Sequence, residues 1–308
     1  MLLLGSGNLF FYLLMIMGPL VAVSSSSWFV CWVGVELSFL GVIPFLVSES
    51  PQSISKEASM KYFCVQALGS GLLMCGGIFK FVLPANSDLV LLVGLLLKLG
   101  AFPLHFWVPS VIAGLDFFGL FLTLTWQKIA PFLFLINLLE SSSWLQPYVL
   151  VIGGASAVVG AIIGLNQTML GPLLGASSVS HTGWAMIGAV TGSLWVYFIL
   201  YGLSLLFVVY FLKSKEYFLS SLTFLGLSGL PPFILFLGKW SVMKAAMFAG
   251  MPLWSLFLPV TGSLLSLFFY LKVFFSCFLE DKNTKVKTVF LVSSVFFVLS
   301  GCVLMVWF

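Results

Sequence analysis

A chain of 308 residues with 61% hydrophobic and only 7% charged residues, at a net charge of +4, lies far from the roughly 25% charged and 45–50% apolar usage of soluble domains. Apolar runs extend from Leu2 to Phe308 with no long polar linker between them, which excludes a soluble catalytic domain hidden in the loops. All 13 basic residues are lysines, an arrangement ill suited to bidentate phosphate clamps; no G-x-G-x-x-G or Walker loop is present either. The chain reads as one all-α polytopic membrane domain over residues 1–308, in contact with the lipid bilayer and with no nucleic-acid partner.

Runs of about 20 apolar residues, the length needed to cross a hydrocarbon core of about 30 Å, predict eleven transmembrane helices. The first, Leu2–Val23, ends at the tract "SSSS", and the second, Trp28–Val47, carries Glu36. Met60–Leu83 is the third. The fourth, Leu89–Val108, holds Lys98 and then Gly100, Pro103 and His105; the fifth, Phe117–Leu139, holds Lys128 and Pro131. Tyr148–Leu165 and Leu170–Val190 repeat small residues every fourth position, at Ser156, Gly160 and Gly164 and at Gly171 and Gly175, a pattern that lets helix backbones approach closely. His181 lies in the second of these. Leu194–Leu212 is the eighth span. Leu222–Phe248 combines Pro231, Pro232 and Lys239, and Pro252–Leu279 and Val286–Phe308 complete the set. Five scattered cysteines without C-x-x-C spacing imply neither a metal site nor an iron–sulfur cluster.

The lysines are one-sided. Lys56, Lys61, Lys213, Lys215, Lys282, Lys285 and Lys287 fall in or beside connectors on the N-terminal side of the membrane, so the N-terminus is expected inside and, with an odd number of spans, the C-terminus outside.

Four ionisable residues, Glu36, Lys98, Lys128 and Lys239, fall well inside spans. A charge at the bilayer centre costs about 2.5–3.5 kcal/mol on insertion scales, and such residues mark ion or proton pathways. The bland alternative is polar glue between helices or snorkelling lysines. Each buried lysine is also paired with a proline. Pro103 removes a hydrogen bond to the Leu99 carbonyl and should interrupt the helix after Lys98; Pro131 should free the Gln127 carbonyl, and Pro231 and Pro232 precede Lys239. Broken helices at membrane depth are tolerated where they are buried in protein or line a wet cavity. Desolvation pulls lysine and carboxyl pKa values toward neutrality, and an ammonium–carboxylate contact reverses both shifts, so making or breaking such a contact switches a lysine between holding and releasing its proton. Glu36 has no lysine within helical reach; Lys98 and Lys61 are its candidate partners. His105 follows Lys98 on nearly the same face of an unbroken helix. An offset of five helices between Lys98 and Lys239 suggests an inverted repeat, with approximate repeats 1–139 and 144–279 and a final helix at 286–308.

The blocks "EASMKYFCVQALGS", "LLLKLGAFPLHFWVPSV", "LTLTWQKIAPF", "SSVSHTGWAMIG" and "LSGLPPFILFLGKW" occur in an order that resembles the subunit 2 family of mitochondrial NADH:ubiquinone oxidoreductase, respiratory complex I. The resemblance implies an antiporter-like membrane-arm subunit with inverted five-helix repeats, two broken helices and no redox centre of its own. NADH, flavin, iron–sulfur clusters and ubiquinone would be used elsewhere in the complex. It also implies other membrane-arm subunits as partners, the mitochondrial inner membrane as location, a matrix-side N-terminus and an intermembrane-space C-terminus. Residue by residue it points to Glu36 as the partner of Lys98 on the first broken helix, Lys128 as the connecting lysine, and Lys239 on the second broken helix. A serine stands at Ser110, where many members have glutamate. Two other functions fit the same residues: a stand-alone cation/proton antiporter, and a structural membrane subunit that no longer conducts.

Overall fold

A membrane interior offers no water to backbone amides, so a chain this apolar satisfies them internally by forming helices. The computed structural model describes residues 6–48, 53–82, 84–231 and 233–280, and all regular structure among them is helical. The predicted span Val286–Phe308, with Cys302, Lys282, Lys285, Lys287 and Pro232, lies outside the described residues.

In chain order the helices are α1 (Ser6–Ser24), α2 (Trp28–Ser48), α3 (Ser53–Val82), α4 (Pro84–Leu99), α5 (Trp107–Ile112), α6 (Phe117–Phe121), α7 (Gln127–Ser141), α8 (Gln146–Leu165), α9 (Leu170–Thr191), α10 (Leu194–Ser214), α11 (Tyr217–Ser228), α12 (Ile234–Phe248) and α13 (Trp254–Glu280). Six stretches are long and apolar enough to cross a membrane: Trp28–Val47, Ser53–Phe81, Phe117–Ser141, Ser143–Leu165, Leu194–Ser214 and Trp254–Leu279. The predicted fourth and ninth spans are each cut in two, as α4/α5 and α11/α12. The third begins at Ser53 rather than Met60, because Glu57 and Lys61 pair at 2.7 Å one turn apart and so support a charged helical entry.

The chain forms two compact units. The first holds the described residues up to Val149 together with Thr168–Gly175; the second holds Leu150–Gln167 and the chain from Ala176 onward. In the first, α1 lies directly on α2: a Cβ on Gly18 would come within 2.5 Å of the Ser38 amide, and one on Gly41 within 2.5 Å of the Met15 amide. Met15, Phe39, Phe45, Tyr62 and Val111 form its core, while Gly175 brings the start of α9 to 2.9 Å from the Cα of Pro109. In the second, Gly160 of α8 admits the Ser180 amide of α9 to 2.5 Å, and Gly164 admits the ring of Phe269 on α13 to 2.8 Å. The repeat of small residues is therefore a packing device, as its spacing suggests.

Because interiors are close-packed, Gly160→Val is expected to destabilise the bundle by about 1–3 kcal/mol and to reduce the amount of intact assembly on native gels. Gly71→Ala, at a position with nothing within 4 Å, is expected to leave that amount unchanged.

Candidate functional site

α4 ends at Leu99, one residue beyond Lys98, and the chain turns on Gly100 in the left-handed region at φ 68°, a conformation that glycine adopts without penalty. The last carbonyls of a helix lack intrahelical donors; here side chains supply them. Trp107 Nε1 donates to the Leu97 carbonyl at 3.0 Å, and Gln66 Nε2 donates to the Lys98 carbonyl at 3.3 Å. The break after Lys98 is thus held by two side chains that the sequence did not single out, although a glutamine within an apolar span was a signal that could have found Gln66.

Lys98 Nζ donates to Glu36 Oε1 of α2 at 2.8 Å. The lysine side chain is wholly buried, whereas the glutamate side chain keeps 20% of its surface exposed. Lys98 Nζ also lies 5.7 Å from the centre of the Phe39 ring, within cation–π range. Of the two candidate partners for Glu36 the structure selects Lys98, since Lys61 is paired with Glu57. Around the pair, Gln127 Nε2 donates to the Ser38 carbonyl at 3.0 Å and Tyr62 donates to Gln127 Oε1 at 3.4 Å, so α2, α3 and α7 are tied together beside the carboxylate.

Lys128, buried at 5% exposure, occupies the first turn of α7. The expected break at Pro131 is absent: α7 runs unbroken from Gln127 to Ser141. The irregularity precedes the lysine, as a π-helical turn over Leu122–Trp126. Its wider turn absorbs the mismatch one turn before the proline, and Thr125 Oγ1 and Thr123 Oγ1 donate to the Phe121 and Gly119 carbonyls at 2.7 and 3.0 Å. Single π turns of this kind recur at functional sites.

His105 is 2% exposed, but α4 has ended before it, so its register with Lys98 on a continuous helix does not apply. It sits between the rings of Phe102 and Phe106, with centroids at 6.2 and 4.2 Å, and its buried Nδ1 has no hydrogen-bond partner among the described residues.

Lys239, in the second unit, is likewise buried at 5% exposure. α11 ends at Ser228, and Gly229 turns the chain at φ 74°. Lys239 reaches back from α12 and donates to the freed Ser228 carbonyl at 2.8 Å; its ammonium lies 5.9 Å from the Trp184 ring. The two broken helices therefore place their lysines alike. In one the lysine belongs to the last turn before the break and in the other it comes from beyond it, yet both ammonium groups serve the C-terminal end of a half-helix, where the dipole is negative.

The chain is 34% identical to NADH-ubiquinone oxidoreductase chain 2 of Albinaria caerulea over 277 residues, covering 89% of this chain and 90% of that one. The chain belongs to the NADH-ubiquinone oxidoreductase chain 2 family. The chain of that name from Anopheles gambiae is 33% identical, with 88% of this chain and 86% of the relative covered, and residues 82–219 match the family model described as NADH:quinone oxidoreductase/Mrp antiporter, TM. The fold is shared with a chain of respiratory complex I from Thermus thermophilus with bound aureothin, at a TM-score of 0.80 and 24% identity over 97% of this chain and 79% of that one. It is shared also with a chain of the Mrp complex from Dietzia sp. DQ12-45-1b, at a TM-score of 0.72 and 20% identity over 85% and 59%. The chain is thus an antiporter-like membrane subunit of the complex I family.

Breaking a buried ion pair costs about 3–5 kcal/mol, because an uncompensated charge stays behind. Glu36→Gln strands a dry ammonium and is expected to lower stability by about 3 kcal/mol, whereas Lys98→Met leaves a carboxylate that still reaches the surface and is expected to cost less. Thermal loss of the intact assembly, followed on native gels, should rank the two variants in that order.

Proposed function

We propose that this chain translocates protons within NADH:ubiquinone oxidoreductase by relaying them through Glu36, Lys98, Lys128 and Lys239, with His105 beside the first break, and that the chain binds no redox cofactor of its own. The observation that carries this reading is the Lys98–Glu36 pair, in which a fully buried ammonium faces a carboxylate that is 20% exposed. Separating them leaves the lysine without its counter-charge in an apolar bundle, which favours proton release; restoring contact favours uptake. Redox chemistry in partner subunits of the membrane arm would drive the change.

The same proposal includes the finer architecture: eleven spans, two inverted repeats over 1–139 and 144–279, a matrix-side N-terminus and an intermembrane-space C-terminus in the mitochondrial inner membrane. The like placement of Lys98 and Lys239 at half-helix ends supports the repeat, since transporter sites are built from such discontinuous helices.

Two measurements test it. In reconstituted vesicles carrying the whole complex, Lys98→Met, Lys128→Met and Lys239→Met should each assemble yet lower proton translocation by about tenfold or more, the scale of losing a positioned acid–base group. Wild-type proton yields in assembled variants would reject the relay and leave a structural subunit. In intact organelles, protease admitted to the matrix side should cut near Lys213–Glu216, the turn where Lys215 adopts φ 58°; cutting there from the opposite side would reverse the topology.

A further inference from the structure

The relay proposed above leaves His181 without a role, yet this is the most completely held imidazole among the described residues. Its Nδ1 lies 2.8 Å from the hydroxyl of Tyr197 on α10, and its Nε2 lies 3.2 Å from the hydroxyl of Tyr270 on α13. All three residues are buried, at 3%, 0% and 0% exposure. Tyr270 also hydrogen-bonds Ser177, one turn before the histidine on α9. A third phenol, Tyr201, lies against the imidazole with ring centroids 4.7 Å apart, and its buried hydroxyl has no hydrogen-bond partner among the described residues.

The cluster adjoins Lys239. Trp184 follows His181 by one turn, on the same face of α9; its ring stacks on Tyr197 at 6.5 Å and meets the Lys239 ammonium at 5.9 Å. A Cβ on Gly238 would come within 3.1 Å of the Tyr197 ring, so α12 presses on the same tyrosine. The titratable groups facing the imidazole are therefore Tyr197 and Tyr201 from α10, Tyr270 from α13 and, across Trp184, Lys239 from α12.

A neutral imidazole carries one donor and one acceptor nitrogen, and a phenol both donates and accepts. The Tyr197–His181–Tyr270 chain is satisfied in either direction: the ring can donate to one tyrosine and accept from the other, or the reverse. A histidine that only packs needs no such partner on both sides. We propose that Tyr197 and Tyr270 are positioning residues that hold His181 as a two-ended proton relay beside Lys239, an inference that rests on the relay reading above. His181 accepts one proton at its unprotonated nitrogen through the adjoining phenol, becomes a cation that donates to both tyrosine oxygens, and releases one proton from either nitrogen. Only N–H and O–H bonds are exchanged. The unpartnered Tyr201 hydroxyl marks where a water would join the chain, since buried polar groups of this kind are commonly met by internal water.

The test uses the whole complex in vesicles. His181→Gln keeps one acceptor and one donor but cannot take up a proton; it is expected to assemble and to lower proton translocation by at least about fivefold. Tyr197→Phe and Tyr270→Phe are expected to retain part of the pumping and to displace its pH profile, a change that loss of packing alone would not produce, while Tyr210→Phe on the exposed side of α10 keeps the wild-type profile. Full pumping in assembled His181→Gln, or unshifted profiles in both tyrosine variants, overturns the proposal. Lys239→Met separates the two readings: if it is impaired while His181→Gln pumps normally, only the histidine relay falls, and if both pump normally the relay as a whole falls.

Discussion

An ammonium taken into an apolar bundle must find an oxygen there, and much of this structure follows from where the oxygens come from. A continuous helix spends all of its carbonyls on itself. A helix that stops inside the bundle releases the last ones, and these, together with one carboxylate, are what the buried lysines meet. Lys239 takes the released carbonyl of Ser228 directly. Lys98 turns instead to Glu36, because the carbonyls at its own helix end are taken by Trp107 and Gln66. The breaks and the charges are parts of one arrangement.

The two lysines are consequently held with different strength of commitment. A carbonyl offers a partial charge that cannot be protonated away, so Lys239 is solvated by a fixed dipole. Glu36 carries a full charge and touches the surface, so the field at Lys98 can be altered from outside its own helix. A subunit driven by chemistry in its partners needs at least one group of the second kind, and the exposed edge of Glu36 is where such an influence can enter.

Much of this was legible beforehand. Apolar run length located the helices, and the prolines with Gly100 and Gly229 located both breaks, because those residues act through local backbone chemistry that no distant contact can undo. Lys98 and Glu36 were pairable in principle, but only tertiary packing decided between Lys98 and Lys61. The expectation at Pro131 failed because a proline states only that one hydrogen bond is missing, and the chain had already widened its turn at Leu122–Trp126. The expected register of His105 failed for the opposite reason: it assumed a continuous helix through Gly100. The aromatic partners of His181 come from helices 16 and 89 residues away, a distance over which spacing carries no signal.

The π turn before Lys128 has a consequence for how the chain can change over time. A widened turn is one residue held in excess of the regular helix. Removing any single residue from Leu122–Trp126 would let the segment relax into an unbroken α-helix, and everything on one side of it would swing by about 100° relative to the other. Lys128 and Gln127 would then leave the interior face they now occupy, although no side chain in that face had been altered. In this stretch the number of residues matters more than their identity: substitutions among its apolar members can drift, while an insertion or deletion there re-aims a buried cation.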